Sequence, residues 1–204
     1  MEKVDHKKIF RQFYKPTRTP VIIDVPAMQF LMIDGKGYPA TSPEYQQAME
    51  ALYPMSYTLK FALKKARIID YTVMPLEGLW WAKDMEAFLN TNRKDEWLWT
   101  SMIMQPPEVT QDYYNDAIKV VRKKNNPVAL SKMRLEIYHE GISVQVMHIG
   151  SFSEEGPVIE AMYQYAFDQG YELCGKHHEI YLSDPRRTAP EKLRTVIRQP
   201  IKKT

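Results

Sequence analysis

The chain has 204 residues, of which 44% are hydrophobic and 26% are charged, and its formal net charge at pH 7 is +3. That length is enough for one globular domain, or for two small fused repeats, with a sizeable hydrophobic core. The weak positive charge comes without a dense basic tract, which argues against nucleic-acid binding, and no apolar run approaches the roughly 20 residues of a membrane-spanning helix.

Cysteine content and the N-terminal sequence indicate the cellular compartment of the protein. Cys174 is the single cysteine, so no internal disulfide bond can form and a reducing compartment is expected. The N-terminus lacks the apolar core of a signal peptide. We therefore expect a cytoplasmic protein, a monomer or a weak homodimer, that binds neither nucleic acid nor a membrane.

The first half of the chain predicts a charged N-terminal arm, then strands and one long amphipathic helix. The arm covers residues 1–24. The hydroxyl groups and proline of Thr41-Ser42-Pro43 are typical of a helix start, and apolar residues at helical spacing continue this helix to about Ala66. The other elements predicted here are strands at residues 28–33, 68–81 (interrupted at Pro75) and 97–104, and a turn with a short helix at residues 83–96.

The second half predicts a similar set of elements. Thr110 caps a helix over residues 110–124, and a second helix follows at about residues 154–167 and ends at Gly170. The strands predicted here are a pair at residues 133–139 and 142–149 joined as a hairpin across Glu140-Gly141, one over residues 175–182, and a last one at residues 194–198 stopped by Pro200.

The two halves repeat one order of elements, which predicts an internal duplication. The letters M-I-D-G at residues 32–35 precede the first long helix as M-H-I-G at residues 147–150 precede the second. Each half then reads strand–helix–strand–strand. We expect a single domain over residues 25–204, made of two repeats at about 25–105 and 128–204 that are joined by the helix at 110–124.

This duplication predicts an α+β fold. A pseudo-two-fold axis would relate the two units, with two long helices packed on one side of an antiparallel sheet and a central ligand groove along the axis. Glu77 lies in the first strand after its helix, and Glu179 lies in the corresponding strand of the second half. Glu179 and Tyr181 share one strand face, because successive side chains of a strand alternate.

Three sequence runs carry a resemblance to a known family. The closing run H-H-E-I-Y-L-S-D-P-R-R-T-A-P-E-K-L-R-T-V-I-R-Q-P at residues 177–200 resembles the ending of the GyrI-like small-molecule-binding domains, which also serve as effector-binding parts of AraC- and MerR-type regulators. H-I-G-S-F at residues 148–152 resembles the turn before that family's second helix. M-P-L-E-G-L-W-W at residues 74–81 resembles a stand-alone branch described as cyclopropanoid hydrolases.

The resemblance implies a duplicated fold with an aromatic-walled pocket and a buried glutamate. Glu179 matches the family's ligand-binding glutamate, with Tyr181 beside it, and Glu77 with the pair Trp80-Trp81 matches the stand-alone branch. The chain has no helix-turn-helix segment, so the regulator form of the family is not expected. We predict Glu179, Tyr181 and Glu77 as catalytic residues and predict as ligand-binding residues Trp80, Trp81, Trp99, Tyr138, His148 and Tyr163.

The residue types also suit such chemistry on physical grounds. The chain contains 13 Tyr, 7 Phe, 4 Trp and 12 Met, and aromatic walls give a flat ligand a large contact area. A carboxylate between them attracts cationic drugs, and a desolvated carboxylate has a raised pKa that suits acid–base work near neutral pH. The expected activity is hydrolysis without a metal or a cofactor.

Simpler interpretations stay open at each residue. Glu179 and Tyr181 can lie on a solvated strand face, Glu77 can be a turn residue at a bulge, and the tryptophans can belong to the core. The histidines lack a zinc-binding spacing, which favours structural roles. Three functions therefore remain: a hydrolase of cyclopropane-bearing planar toxins, a protein that sequesters aromatic or cationic drugs without turnover, and a toxin or gyrase modulator that acts by protein interaction.

Overall fold

The computed structural model describes residues 2–83 and 91–204. Of the turn and short helix predicted at residues 83–96, residues 84–90 lie outside this described part, and Thr91–Glu96 forms a 3-10 helix.

The helices are α1 (His6–Ile9), α2 (Arg11–Tyr14), α3 (Pro43–Lys65), α4 (Gln111–Lys124) and α5 (Gly156–Asp168), with further 3-10 turns at Val128–Lys132, Phe152–Glu154 and Pro190–Lys192. The strands are β1 (Lys3–Val4), β2 (Val21–Val25), β3 (Met28–Lys36), β4 (Asp70–Tyr71), β5 (Leu76–Trp81), β6 (Leu98–Gln105), β7 (Arg134–Tyr138), β8 (Gly141–Ile149), β9 (Tyr171–Leu173), β10 (His177–Tyr181) and β11 (Arg194–Lys203).

The chain divides into two compact units. Unit 1 consists of Met1–His6, Met28–Met74 and Gly78–Tyr138, and unit 2 consists of Lys7–Ala27, Pro75–Glu77 and His139–Thr204. Strand β5 therefore gives its first two residues to unit 2 and the others to unit 1. No helix in the described part of the chain is long and apolar enough to cross a membrane.

Unit 1 is built around the long helix α3. Ser42 caps this helix by accepting a hydrogen bond from the Tyr45 backbone N–H, and Pro43 occupies its first turn, as the sequence predicts. The buried side chains of α3 lie on one face that packs against β3 and β6, and they include Ala48, Leu52, Leu59 and Leu63. Strand β3 pairs antiparallel with both β6 and β7.

Unit 2 contains the residues on which the functional argument depends. Strand β8 pairs antiparallel with β2 and with β11, and β11 pairs antiparallel with β10. Helix α5 covers one face of these strands, where the core side chains are Val144, Val146, Met162, Ala166, Ile197 and Ile201. This apolar cluster fixes helix α5 above the face from which Ile197 projects.

The predicted α+β class with antiparallel strands and a repeated order of elements is confirmed. Unit 1 contains β3–α3–β4–β5–β6, with the later residues of β5, and unit 2 contains β8–α5–β9–β10–β11, so each helix is followed by one short strand and two longer ones. Both long helices begin and end within two residues of the predicted limits, because the cap at Ser42-Pro43 and the apolar spacing of both helices are explicit in the sequence.

Two local predictions are wrong. The strands on either side of Glu140 do not form a hairpin, since β7 pairs with β3 whereas β8 pairs with β2 and β11. The last strand also continues through Pro200 to Lys203. It continues because the Pro200 carbonyl still accepts a hydrogen bond from the Cys174 N–H at 2.9 Å, and beyond it β11 pairs with β9.

Candidate functional site

Strand β10 presents two faces of different chemistry. Because successive side chains alternate along a strand, Glu179 and Tyr181 point to one side and His178 points to the other. The register of β10 with β11 places Arg198 directly opposite His178, so these two side chains share a face. We call the two sides the Glu179 face and the His178 face.

On the Glu179 face, both carboxylate oxygens of Glu179 have polar neighbours. Tyr181 Oη donates a hydrogen bond to Glu179 Oε2 at 2.7 Å, and His177 Nε2 lies 3.3 Å from Oε1. The Glu179 side chain is 18% exposed, so a ligand can approach the carboxylate from solvent. The predicted pair of Glu179 and Tyr181 is thus in direct contact.

Tyr163 reaches the same face from helix α5. Its hydroxyl lies 3.4 Å from His177 Nδ1 and 3.3 Å from Gln199 Oε1, to which it donates. Burial, with a smaller contribution from the negative charge of Glu179, raises the pKa of Tyr163 to about 12. The phenol therefore stays protonated at neutral pH and remains a hydrogen-bond donor.

A second carboxyl group lies close to Glu179. Glu155, immediately before helix α5, is 5% exposed. Burial and then the negative charge of Glu179 raise the pKa of Glu155 to about 9, against a smaller opposing effect of the Thr195 hydroxyl. Glu155 therefore keeps its proton at neutral pH and is a neutral carboxylic acid beside Glu179.

An aromatic surface adjoins this pair of carboxyl groups. The Phe152 ring meets the Tyr181 ring edge to face, with centroids 5.8 Å apart, and Phe152 is 43% exposed. His148 is buried behind the turn that carries Phe152, with Nε2 at 3.0 Å from the Ser151 carbonyl oxygen. A Cβ on Gly150 would lie 3.1 Å from that same ring nitrogen, so His148 needs a glycine there.

On the His178 face, Glu77 is fully buried and both its oxygens are used. Tyr14 Oη donates to Glu77 Oε1 at 2.7 Å, and His178 Nε2 lies 3.0 Å from Oε2. The other ring nitrogen of His178, Nδ1, lies 2.9 Å from Oε1 of Glu140. His178 thus bridges two buried carboxylates.

Arg198 extends this network to the N-terminal segment. Its guanidinium donates to Glu140 at 2.9 Å, to Gln145 Oε1 at 3.0 and 3.1 Å, and to the Phe13 carbonyl at 2.7 Å. Gln145 Nε2 in turn donates to the Gln12 carbonyl at 2.7 Å. The residues before Tyr14 are therefore held against the sheet by buried hydrogen bonds.

The charges of this network balance when His178 is protonated. Burial alone would lower the pKa of His178, but Glu140 and then Glu77 raise it to about 9. Burial would likewise raise the pKa of Glu140, but the charges of His178 and Arg198 lower it to about 2. Burial and the charge of Glu77 raise the pKa of Tyr14 well above its usual value, so Tyr14 remains a donor to Glu77.

The predicted tryptophans belong to unit 1. Trp80 stacks on Tyr45 with centroids 6.1 Å apart, and Trp99 meets Tyr45 edge to face at 5.2 Å. Trp80 and Trp99 are buried, and Trp81 is half-buried. These rings form part of the packed interior of unit 1.

Tyr138 also lies in unit 1, where it is half-buried and meets Phe30 edge to face at 6.5 Å. In the described ranges 2–83 and 91–204, no group of three or more His, Cys, Asp or Glu side chains is placed to hold a metal ion.

Sequence reasoning missed several residues of both faces. The sequence carried a signal for Phe152 and Glu155, because both lie between H-I-G-S and the start of the second helix. Arg198 also carried a signal, since it alternates with apolar residues that face a core. Tyr14 gave none, because its partner Glu77 is 63 residues away.

Comparison with solved structures gives close matches over nearly the whole chain. A Listeria innocua structure described as an uncharacterized conserved protein is 42% identical, with a TM-score of 0.91, over 98% of this chain and 100% of that one. Another Listeria innocua structure, described as a hydrolase, is 41% identical with a TM-score of 0.89 over the same shares. Comparison with curated proteins gave no match.

A more distant match concerns the fold alone. The C-terminal domain of EcmrR is 11% identical with a TM-score of 0.55, over 91% of this chain and 98% of that domain.

The family comparison covers most of the sequence. Residues 18–202 match the GyrI-like small molecule binding domain, and this range includes β2, the later part of unit 2 as far as residue 202, and the Glu179 face. The chain therefore belongs to the GyrI-like small molecule binding domain family.

Proposed function

We propose that this protein binds a planar aromatic or cationic small molecule on the Glu179 face and hydrolyses it. The substrate class is cyclopropanoid, meaning a flat molecule in which an electrophilic cyclopropane is conjugated to a carbonyl group, and the role is detoxification. Family membership supports the small-molecule ligand. The similarity to a Listeria innocua protein described as a hydrolase supports turnover.

Ring opening of such a substrate needs a base that accepts a proton from water and a proton donor at the carbonyl oxygen. A water oxygen forms a bond to the cyclopropane carbon while one ring C–C bond breaks. The electron pair of that bond moves through the conjugated system to the carbonyl oxygen, which takes up a proton and becomes a phenol. The attacking water loses one proton to a base, so the net reaction adds one water molecule to the substrate.

Glu179 and Tyr181 have the chemistry for these two roles. Glu179 is partly exposed, so its carboxylate can orient a water molecule and accept a proton. Tyr181 is a phenol that can donate a hydrogen bond to the substrate carbonyl once the ligand replaces its bond to Glu179. The exposed ring of Phe152 gives a flat substrate a surface on which to stack.

One observation carries the proposal: the 2.7 Å hydrogen bond from Tyr181 to a Glu179 carboxylate that solvent can reach. Glu77, the other predicted acid, already has both oxygens bonded to Tyr14 and His178 and is 0% exposed. We therefore assign the base to Glu179 and give Glu77 the role of a buried anchor.

The test is turnover of a spirocyclopropyl cyclohexadienone at pH 7, followed by loss of dienone absorbance and by mass spectrometry of the water adduct. The variants are Glu179→Gln and Tyr181→Phe, with Tyr57→Phe as the matched control on an exposed tyrosine of unit 1. We expect about 100-fold to 10,000-fold slower turnover in Glu179→Gln, the usual effect of losing a general base, and no change in Tyr57→Phe.

A non-catalytic drug-binding protein is the alternative function. The observation in its favour is the lone carboxylate beside an exposed aromatic ring, which suits a cation as well as a dienone. Saturable binding of the dienone by the wild type without formation of the water adduct would establish this alternative and exclude the hydrolase. Turnover that survives in Glu179→Gln would show that the base lies elsewhere.

A further inference from the structure

The proposed reaction does not use Glu155, although it is the most unusual titratable group on the Glu179 face. It is 5% exposed, and its Oε1 is buried without a hydrogen-bond partner among the described residues. It also makes no capping hydrogen bond to helix α5, which it precedes. A glutamate is almost never fully buried unless it is paired, so the burial of Glu155 needs an explanation.

The groups that face Glu155 include a carboxylate and a hydroxyl, and they indicate why its side chain is buried. Glu179 on β10 is the charged group that faces it, and the Thr195 hydroxyl on β11 also faces it, with a smaller and opposite effect on its pKa. The neighbouring Glu154 is bonded to Ser151, and His148 on β8 is bonded to the Ser151 carbonyl. No cation pairs with Glu155 in this described part of the chain.

We propose that Glu155 is a positioning residue that holds a proton beside Glu179 and thereby keeps the ligand site at a single negative charge near neutral pH. The inference rests on the proposed ligand site at Glu179. Its physical basis is that two carboxylates close together, with one of them desolvated, do not both ionise. A bound cation supplies the missing counter-charge, so cation binding lowers the pKa of Glu155 and favours release of its proton.

This arrangement determines which ligands the site prefers as pH changes. The pKa of Glu155 in the free protein, raised to about 9 by burial and by Glu179, places the gain of the second charge between pH 8 and 10. Above that range the site attracts a cation with two charges instead of one, whereas a neutral flat ligand gains nothing. The site is therefore selective for cations in a pH-dependent way.

The experiment uses two probes of the same shape, N-methylacridinium as the cation and acridine as its neutral counterpart, titrated by fluorescence from pH 7 to 9.5. The concentration of intact acridinium is taken from its absorbance at each pH, because hydroxide adds to its ring in alkaline solution. We expect the wild-type affinity for N-methylacridinium to rise about threefold to thirtyfold across this range, the effect of one charge several ångströms away at an effective dielectric constant between 80 and 20. Acridine affinity should stay constant. Glu155→Gln, which is neutral at every pH and preserves the shape of Glu155, should give a flat profile for both probes.

Two outcomes separate this inference from the ligand site itself. If wild type and Glu155→Gln show the same pH profile for N-methylacridinium while Glu179→Gln loses binding, the ligand site stands and the role of Glu155 is overturned. If no probe binds the wild type at any pH, both the proposed ligand site and the inference about Glu155 are overturned.

A second measurement needs no ligand. The side-chain carboxyl carbon of Glu155, assigned in the ¹³C NMR spectrum by its loss in Glu155→Gln, should titrate near pH 9 in the wild type and at lower pH in Glu179→Gln, where the neighbouring charge is absent. An ordinary titration below pH 6 in the wild type would overturn the inference. A merely structural Glu155 would not respond to the Glu179→Gln substitution.

Discussion

His178 and Glu179 are consecutive residues of one strand, yet their side chains enter two clusters of opposite character. His178 is buried between the carboxylates of Glu77 and Glu140. Glu179 faces the other way, bonded to Tyr181 and open to solvent. The charge-balanced network on the His178 face fixes the position of strand β10, and the same strand presents the carboxylate of the candidate site.

Tyr14→Phe tests the first link of the buried network. The substitution removes only the hydroxyl that donates to Glu77 at 2.7 Å, and it leaves a buried carboxylate oxygen without a donor. We expect a loss of about 1.5–3 kcal/mol in the free energy of unfolding, as for hydrogen bonds to charged groups. Urea denaturation at pH 6 measures the change.

The matched control for this substitution is Tyr57→Phe. Tyr57 is 47% exposed on helix α3, so losing its hydroxyl should change stability by less than about 0.5 kcal/mol. Equal effects of the two substitutions would mean that the hydrogen bond between Tyr14 and Glu77 adds nothing.

The titration of Glu140 and His178 predicts how stability depends on pH. The pKa of Glu140 is lowered from 4.5 to about 2, so its contribution is complete above pH 4.5 and is lost as the pH falls toward 2. The pKa of His178 is raised from 6.5 to about 9, so its contribution is complete below pH 6.5 and is lost as the pH rises through 9. For Glu140 and His178 taken alone, stability should therefore be highest between about pH 4.5 and 6.5.

Glu155 adds a decline of its own, which begins at lower pH and has to be separated from that of His178. Its pKa is raised from 4.5 to about 9, so its contribution to stability is complete below pH 4.5 and is lost progressively as the pH rises from 4.5 through 9. Unfolding free energies measured in the Glu155→Gln background isolate His178. A profile that stays flat from pH 6.5 to 9.5 in that background would contradict a protonated His178, and His178→Gln should flatten the profile that we expect.

The sequence predicts the elements of this fold better than it predicts their pairing. The limits of helices α3 and α5 follow from caps and apolar spacing, which are local signals. The hairpin at Glu140-Gly141 fails because local turn chemistry cannot reveal that β7 pairs with β3 instead of β8. The strand was predicted to stop at Pro200 for a similar reason, since the partner of its carbonyl is the N–H of Cys174, just after β9, which is not a local signal.

In the candidate site, too, local contacts could be predicted from the sequence, whereas contacts that depend on tertiary packing could not. Glu179 and Tyr181 are two residues apart, so strand alternation alone brings them to one face. Glu155 and Tyr163 reach that face only because helix α5 packs on Val146 and Ile197, which no local pattern shows. The raised pKa of Glu155 depends on burial and therefore cannot be predicted before the fold is known.

Gly35→Ala tests the aromatic packing in unit 1. Gly35 pairs with Trp99 across strands β3 and β6, and a Cβ at Gly35 would lie 2.3 Å from the Trp99 ring. The ring is fully buried and has to move, so we expect a destabilisation of about 1–3 kcal/mol, as in other overpacked cores. Tryptophan fluorescence should shift, because the environment of Trp99 changes.

Gly156→Ala is the control for the added methyl group. Nothing lies within 4 Å of a Cβ at Gly156, and the residue opens helix α5. Alanine there should be neutral or stabilise the protein by up to about 1 kcal/mol. If Gly35→Ala behaves in the same way, the Trp99 ring tolerates the added methyl group and the interior of unit 1 is looser than its distances indicate.

Arg198→Met removes the cation that ties the buried network to the N-terminal segment. The substitution leaves Glu140 with His178 as its one cationic partner among the residues that the structure describes, and it removes the donor to the Phe13 carbonyl. We expect a loss of about 3–5 kcal/mol, the usual effect of breaking a buried ion pair from one side, together with faster amide hydrogen exchange in residues 11–14.

A double-mutant cycle with Glu140→Gln decides whether this loss comes from the ion pair. If Arg198 acts through Glu140, the double variant should be less destabilised than the sum of the single variants, with a coupling of about 0.5–3 kcal/mol. Additive effects would assign the role of Arg198 to Gln145 and to the Phe13 carbonyl instead. In that case hydrogen exchange in residues 11–14 would accelerate in Arg198→Met and remain slow in Glu140→Gln, because the second variant keeps both of those bonds.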